Sequence, residues 1–217
     1  MQRVLFRLLI IVVTFCFALP VAASTLSTNQ MLEVERRLSS LGYWITRADG
    51  RADASTSHAI MAFQKVEGMK RTGVMRASDI AALRLAKTPE AKNPTGPSHV
   101  EIDLTRQVLF FVDDAGIVTK ILPVSTGNEK KFRDEGQWKT AHTPRGTFAI
   151  GLKINGVKKS SLGLLYNPSY FLGGLAIHGS NSIPPYAASH GCVRIPRFAD
   201  PGFFKMTKIG MNVYLYE

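Results

Sequence analysis

The 217 residues carry a formal net charge of +11, with 45% hydrophobic and 20% charged side chains and two cysteines. That length admits one large domain or two small ones. The positive excess is shared about equally between the chain before Pro97 and the chain after it, so no single basic face is concentrated enough for nucleic acid. Attraction to an anionic polymer outside the cell is the use it suggests.

Residues 1–23 read as a signal peptide. Arg3 and Arg7 give a basic start, residues 8–19 form an apolar run, and Val21-Ala22-Ala23 suits a cleavage site after the helix-breaking Pro20. An uncleaved anchor is the alternative, since residues 4–23 nearly suffice to span a bilayer, and any membrane contact is expected through this segment alone. Cleavage predicts an exported protein, in the periplasm or cell wall, with a charge of +9 (+11 less Arg3 and Arg7). It also removes Cys16 and leaves Cys192 alone. A leftover cysteine in an exported chain is a reactive group, a surface liability or a small buried hydrophobe.

Residues 24–86 have helical periodicity. Met31, Val34, Leu38 and Leu41 recur at three and four, and Gly42 closes the run. Ser55 or Ser57 is the expected cap of a second helix with the stripe Ile60, Phe63 and Val66, closed by Gly68. Ser78 is the expected cap of a third, with Ile80, Leu83 and Leu85. The prediction is a small three-helix bundle with nothing catalytic in it. Leu41-Gly42-Tyr43, Asp49-Gly50, Thr56, Ala62-Phe63-Gln64 and Thr72-Gly73-Val74 resemble the peptidoglycan-binding domain type 1 of many wall enzymes. Ala52-Asp53 stands where that family usually has Phe-Gly. The resemblance implies affinity for the glycan but carries over no individual binding residue.

Residues 87–98, with Pro89, Pro94, Pro97 and Gly96 and no apolar pattern, read as a stiff linker that separates wall attachment from chemistry. From residue 99 to 217 the pattern changes to strands. Residues 100–104 alternate, and runs at 107–112 and 117–124 are joined by the turn Asp113-Asp114-Ala115-Gly116 into a hairpin. Residues 147–152, 162–165, 174–178 and 211–216 are further strand candidates. The expected fold is therefore two-domain, a helical bundle followed by a mostly antiparallel β-sandwich or barrel large enough for its own core.

Residues 176–196, AIHGSNSIPPYAASHGCVRIP, hold Cys192, with His178 upstream and His190 two residues before it. A thiol is a good nucleophile only as thiolate, and an imidazole is the usual group for drawing off its proton. Gly191 permits a tight turn that aims the N–H groups of His190, Gly191 and Cys192 at one spot, as an oxyanion hole requires. Pro184, Pro185 and Tyr186 stiffen the loop between the two halves, and the flanking apolar residues place both chemical groups at strand ends. His178 is the expected base, because a residue two before the cysteine in a tight turn contributes backbone, whereas one from another strand can face the sulfur. The Gly179 carbonyl is a candidate to orient the imidazole. Arg194 either binds a substrate carboxylate or pairs with an internal acid, Tyr186 either forms part of a lid or packs, and Ser189 reads as a turn hydroxyl on the substrate side. His58, His99 and His142 carry no signal. A metal site built from His178, His190 and Cys192 lacks the further ligands that complete such a set, so neither metal nor cofactor is expected.

His178-Gly179 followed by Ser189-His190-Gly191-Cys192-Val193-Arg194 resembles the signature of the YkuD-type L,D-transpeptidase family, HG followed by SHGC(I/V)R. Pro123-Val124-Ser125-Thr126-Gly127 and Thr143-Pro144-Arg145-Gly146-Thr147-Phe148 resemble its recurrent PVSTG and TPxGxF stretches. The resemblance implies that Cys192, deprotonated by His178, attacks the L-centred third residue of a peptidoglycan tetrapeptide stem and releases D-alanine. The thioester then passes to the side-chain amine of another stem, to water as in an L,D-carboxypeptidase, or to an anchored protein. Carbapenem-type compounds are expected to acylate the thiol. A wall-binding protein without catalysis is the rival from another class.

Overall fold

The computed structural model describes residues 26–217. The expected signal segment and Cys16 lie outside them. Three helices come first, α1 (Thr28–Ser40), α2 (Ala54–Val66) and α3 (Ala77–Leu85). Ser27 starts α1 through a reciprocal box with Gln30: the Ser27 N–H donates to Gln30 Oε1 at 2.9 Å and the Gln30 N–H to Ser27 Oγ at 3.3 Å. The cap of α2 is Asp53 rather than Ser55 or Ser57, because its carboxylate is the group that reaches the Thr56 N–H, at 2.9 Å. Ser78 likewise falls inside α3, whose cap position is Arg76, with the Arg76 N–H donating to Asp79 Oδ2. Several of the motif residues are held by hydrogen bonds within this module. Glu35, fully buried, accepts from the Gly50 N–H at 2.7 Å and from Thr56 Oγ1 at 2.8 Å, while the Gln64 amide holds the turn at Thr72, Gly73 and Val74.

The strands that follow are β1 (His99–Asp103), β2 (Val108–Val112), β3 (Val118–Pro123), β4 (Lys131–Asp134), β5 (Gln137–Thr140), β6 (Gly146–Ala149), β7 (Leu152–Lys153), β8 (Val157–Ser160), β9 (Gly163–Leu172), β10 (Leu175–Ser180), β11 (Val193–Pro196) and, after helix α4 (Asp200–Met206), β12 (Asn212–Tyr216). One sheet has the order β3-β2-β1-β12-β6 and the second β11-β10-β9-β7, with β8 also on β9. Pairing is antiparallel except for β1 with β12 and β10 with β11. Among the described residues the two sheets stay open, so the barrel alternative is not formed. The fourth helix was not anticipated either. It is seven residues long and carries Pro201 and Gly202, too short and too broken to show a helical period. Within the described residues, no helix is long and apolar enough to cross a membrane.

The strand β2 explains how the parts are joined. All five of its residues are buried. Leu109 and Phe111 enter the core between the sheets with Val100, Ile177 and Val193, whereas Val108, Phe110 and Val112 enter a second core with Val34, Leu38, Ile60 and Phe63 of the helices. A sheet covered on both faces reads as a continuous apolar run, and VLFFV is one. The loop after α1 then covers the free edge of β3: the Ile121 N–H donates to Gly42 O at 2.8 Å and the Trp44 N–H to Ile121 O at 3.1 Å. Residues 87–98 do not act as a spacer. The Lys92 and Asn93 N–H groups donate to the buried Glu101 carboxylate at 2.9 and 2.6 Å, which holds the segment against the sheet. The helical module is therefore a third layer of one molecule.

Lys65 lies between the layers, 1% exposed, and its ammonium donates to Gln107 O at 3.1 Å and Val124 O at 2.9 Å, with no carboxylate in salt-bridge distance among the described residues. Burial pulls its pKa down to about 7. The unfolded chain keeps that proton up to the ordinary lysine value of 10.5, so unfolding takes up a proton across the window and stability rises with pH there. Denaturant unfolding should show the wild-type protein gaining stability between about pH 7 and about pH 9 relative to Lys65→Met. Parallel pH profiles for the two proteins would refute the assignment.

Candidate active site

The pairing of β10 with β11 sets the site. Ile177 stands opposite Val193 and His178 opposite Arg194. One step back in the same register Cys192 comes level with Ala176, which faces Tyr170 on its other side. Opposite residues in a ladder share a face, and residues two apart on one strand share it too. Tyr170, Ala176 and Cys192 therefore form one row, with His178 and Arg194 in the next. Cys192 and His178 stand on the diagonal of that ladder, roughly 7 Å apart at the backbone, and the Cys192 thiol donates to Gly174 O at 3.8 Å. Tyr170, His178, Cys192 and Arg194 all line a single cavity of about 680 Å³.

His178 is buried and its Nδ1 lies 2.9 Å from Gly179 O. A carbonyl only accepts, so Nδ1 carries the hydrogen and Nε2 keeps the lone pair. Burial holds the His178 pKa below 6.5, opposed by the Gly179 hydrogen bond and reinforced by the Arg194 charge. Burial also pushes the Cys192 thiol above 9.0, against the Ala176 N–H and Arg194, which both favour the thiolate. At neutral pH the two groups thus rest as thiol and neutral imidazole.

The turn before the sulfur is braced from three sides. Ser189 Oγ donates to Cys192 O at 2.5 Å and accepts from the Gly191 N–H at 3.0 Å, while the Ser189 N–H donates to Thr126 O. Thr143 Oγ1 donates to Gly191 O at 2.7 Å and accepts from the Gly127 N–H at 2.8 Å. Gly191 has φ +130°, and a Cβ there would sit 2.8 Å from His142 O and 2.9 Å from Leu175 Cδ2, so only glycine fits. Thr126-Gly127 and Thr143 are thus the hydrogen-bonding walls of the cysteine turn.

The other anticipated residues are placed as follows. His190 is exposed on the cavity rim with its ring 4.5 Å from that of Phe132. Arg194 is half-buried, and among the described residues no carboxylate lies within salt-bridge distance of it. Tyr186 is not brought to the cavity. It is 63% exposed, and its carbonyl accepts from Ser125 Oγ at 2.8 Å. Its loop is tied from the helical module by Arg71, which donates to Pro185 O at 3.0 Å. Nor, among the described residues, do three His, Cys, Asp or Glu side chains cluster so as to hold a metal ion.

Several cavity residues escaped sequence reasoning. Tyr170 gave no signal, since β9 was expected to end near residue 165. The β4–β5 hairpin supplies Phe132, Asp134 and Lys139 to the cavity, and Asp134 pairs with Lys139 at 2.8 Å. Its turn was visible in principle: Glu135-Gly136 with φ +49° and +82° is the turn that two-residue hairpins use.

Residues 97–214 match the L,D-transpeptidase catalytic domain family, YkuD, and residues 27–78 match a peptidoglycan binding domain family. Among solved structures, an L,D-transpeptidase from Xylanimonas cellulosilytica is 40% identical over 91% of this chain and 97% of its own, with a TM-score of 0.83. An L,D-transpeptidase from Stackebrandtia nassauensis is 25% identical over 86% of this chain and 90% of its own, with a TM-score of 0.49. None of the curated proteins compared with the chain matches it. With its catalytic domain matched across more than half of its length and a solved relative aligned almost end to end, the chain belongs to the L,D-transpeptidase family.

Proposed function

We propose that Cys192 carries the peptidoglycan L,D-transpeptidase reaction through a thioester, with His178 as its base. The supporting observation is the shared sheet face: a thiol and an imidazole, its Nδ1 held, open into one cavity beside the Arg194 guanidinium, which has no carboxylate partner among the described residues. In the first step the sulfur bonds to the carbonyl carbon of the third stem residue as its proton passes to His178 Nε2. That proton then goes to the departing D-alanine nitrogen as the C–N bond breaks, which leaves the thioester. In the second step the side-chain amine of another stem attacks the thioester carbon, His178 takes its proton, and the sulfur leaves and recovers a proton from the imidazolium.

The Gly191 N–H is already spent on Ser189 Oγ, so the oxyanion is assigned to the His190 and Cys192 N–H groups. Ser189 braces the turn and Gly179 supplies the orienting carbonyl. Arg194, half-buried and unpaired among the described residues, suits a carboxylate of the donor stem, a group for which a guanidinium fork is shaped. Tyr186 is assigned to loop structure. Residues 24–86 attach to the wall, residues 87–98 strap the two parts together, and residues 99–217 carry the chemistry. Residues 1–23 direct export, which places the enzyme at the cell wall.

Intact mass after incubation with a carbapenem tests the nucleophile. One covalent adduct is expected, absent in Cys192→Ala, and a wild-type protein that never forms it defeats the proposal. At neutral pH, His178→Ala should slow acylation by about a hundredfold or more, and His190→Ala by less than about tenfold. The reverse order would transfer the role of base to His190.

The resting protonation state is tested separately. Alkylation of Cys192 by iodoacetamide should go on climbing past pH 9.0, the ordinary thiol value, because burial favours the protonated sulfur. A plateau reached near neutrality would instead reveal a thiolate–imidazolium pair formed in advance.

A further inference from the structure

Opposite His178 the ladder is broken. Ile177 pairs with Ser169 and Gly179 with Tyr166, so two residues of β9, Asn167 and Pro168, stand against His178 alone. This is a β-bulge, the usual device for re-aiming one side chain of a strand. Asn167 adopts φ +43°, a left-handed conformation that asparagine tolerates better than most residues. Its own amide helps to hold the bend, since the Gly156 N–H donates to Asn167 Oδ1 at 2.7 Å.

Beneath the bulge lies Asp200, the first residue of α4 and fully buried. Its Oδ1 accepts from the Gly179 N–H at 3.2 Å, its Oδ2 accepts from Asn167 Nδ2 at 2.6 Å, and Arg197 Nη1 lies 3.5 Å from Oδ2. The carboxyl also packs on the Gly179 Cα. A Cβ at position 179 would sit 2.6 Å from Asp200 Cγ, 2.7 Å from Cβ and 2.8 Å from Oδ2, while the φ of Gly179 is not itself left-handed. The glycine after His178 is therefore required by the approach of Asp200. Gly179 is held on one side through its N–H and on the other offers its carbonyl to His178 Nδ1.

We propose that Asp200 is a positioning residue for the reaction: it locks Gly179 across the bulge, and so fixes the carbonyl that keeps His178 Nδ1 protonated and leaves Nε2 for the sulfur. The relay runs from Asn167 through Asp200 and Gly179 to His178, and none of its first three members touches the reacting atoms. The inference rests on His178 as the base.

The contact between Asn167 and Asp200 permits a polarity swap. Asp200→Asn alone sets an amide NH₂ against the NH₂ of Asn167, whereas Asn167→Asp/Asp200→Asn restores one donor and one acceptor, and aspartate also tolerates the left-handed backbone at 167. Carbapenem acylation rates against pH, read by mass on the full described chain, test the idea. The single variant should acylate about tenfold or more slowly, in keeping with a misaimed base, and the double variant should return to within about threefold of wild type. The acid limb of the single variant should also move to lower pH, because the hydrogen bond that raises the His178 pKa is loosened. A merely structural defect would leave that limb in place. An Asp200→Asn protein with the wild-type rate and profile, or a double variant as slow as the single one, overturns the assignment. His178→Ala serves as the control: if it acylates like wild type, the choice of base falls and this relay with it, whereas a slow His178→Ala beside a normal Asp200→Asn defeats the relay alone.

Discussion

The parallel pairing of β10 with β11 is the constraint on which the site depends. Two chain segments joined by residues 181–192 lie side by side in register, and that register puts His178, Cys192 and Arg194 on one face of the sheet. A slip of one residue would turn Cys192 into the core and turn Val193 and Ile195 out of it. The register is protected on both sides of the cysteine. Val193 and Ile195 are fully buried between the sheets, and the turn before them is held by Ser189 and Thr143. The geometry of the site is thus a consequence of apolar packing on one face and of hydrogen bonds at the strand end.

A second consequence of packing is that the two modules behave as one. The residues of β2 alternate between a core shared with the helices and a core shared with the second sheet, so the helices cannot leave without exposing Val108, Phe110 and Val112 together. Burying three such side chains contributes roughly 5 kcal/mol or more, several times the worth of a surface ion pair. Lys65 and Arg71 extend the attachment toward the site, one to the carbonyl of Val124 and the other to that of Pro185. A wall-binding module fused in this way holds the cavity at a set orientation to whatever it binds.

The residues proposed to carry chemistry stood out because they sit in short motifs whose local geometry is demanded by glycine or by a cap. Gly191 marked the turn, the run of apolar residues on either side marked the strands, and the helical stripes of Val34, Leu38, Ile60 and Phe63 marked the bundle. What was not legible depended on contacts distant in sequence. The run VLFFV announces burial on both faces but not what covers each, so the union of the modules was hidden, and residues 87–98 looked like a spacer because Glu101 gives no sign of its partners. Asp200 lies twenty-two residues beyond His178 in a helix too short to show a period, and only the bulge in β9 gives it a role. Tyr170 and the β4–β5 hairpin reach the cavity through sheet order, which local pattern does not encode.

Burial, finally, sets the character of the proposed nucleophile. A cysteine activated by nearby positive charge or by a helix N-terminus rests as thiolate, and such a sulfur is also the one most readily oxidised. Here desolvation dominates both groups, raising the thiol and lowering the imidazole, so in the proposed reaction charge forms only as the sulfur attacks. The protein then has to supply its stabilisation at that moment, through the N–H groups of the turn and through the fixed tautomer of His178. That requirement explains why so much of the surrounding sequence serves rigidity: each brace on Gly191, Gly179 and Ser189 holds a dipole in place before the charge forms, which is the condition under which a desolvated site accelerates acyl transfer.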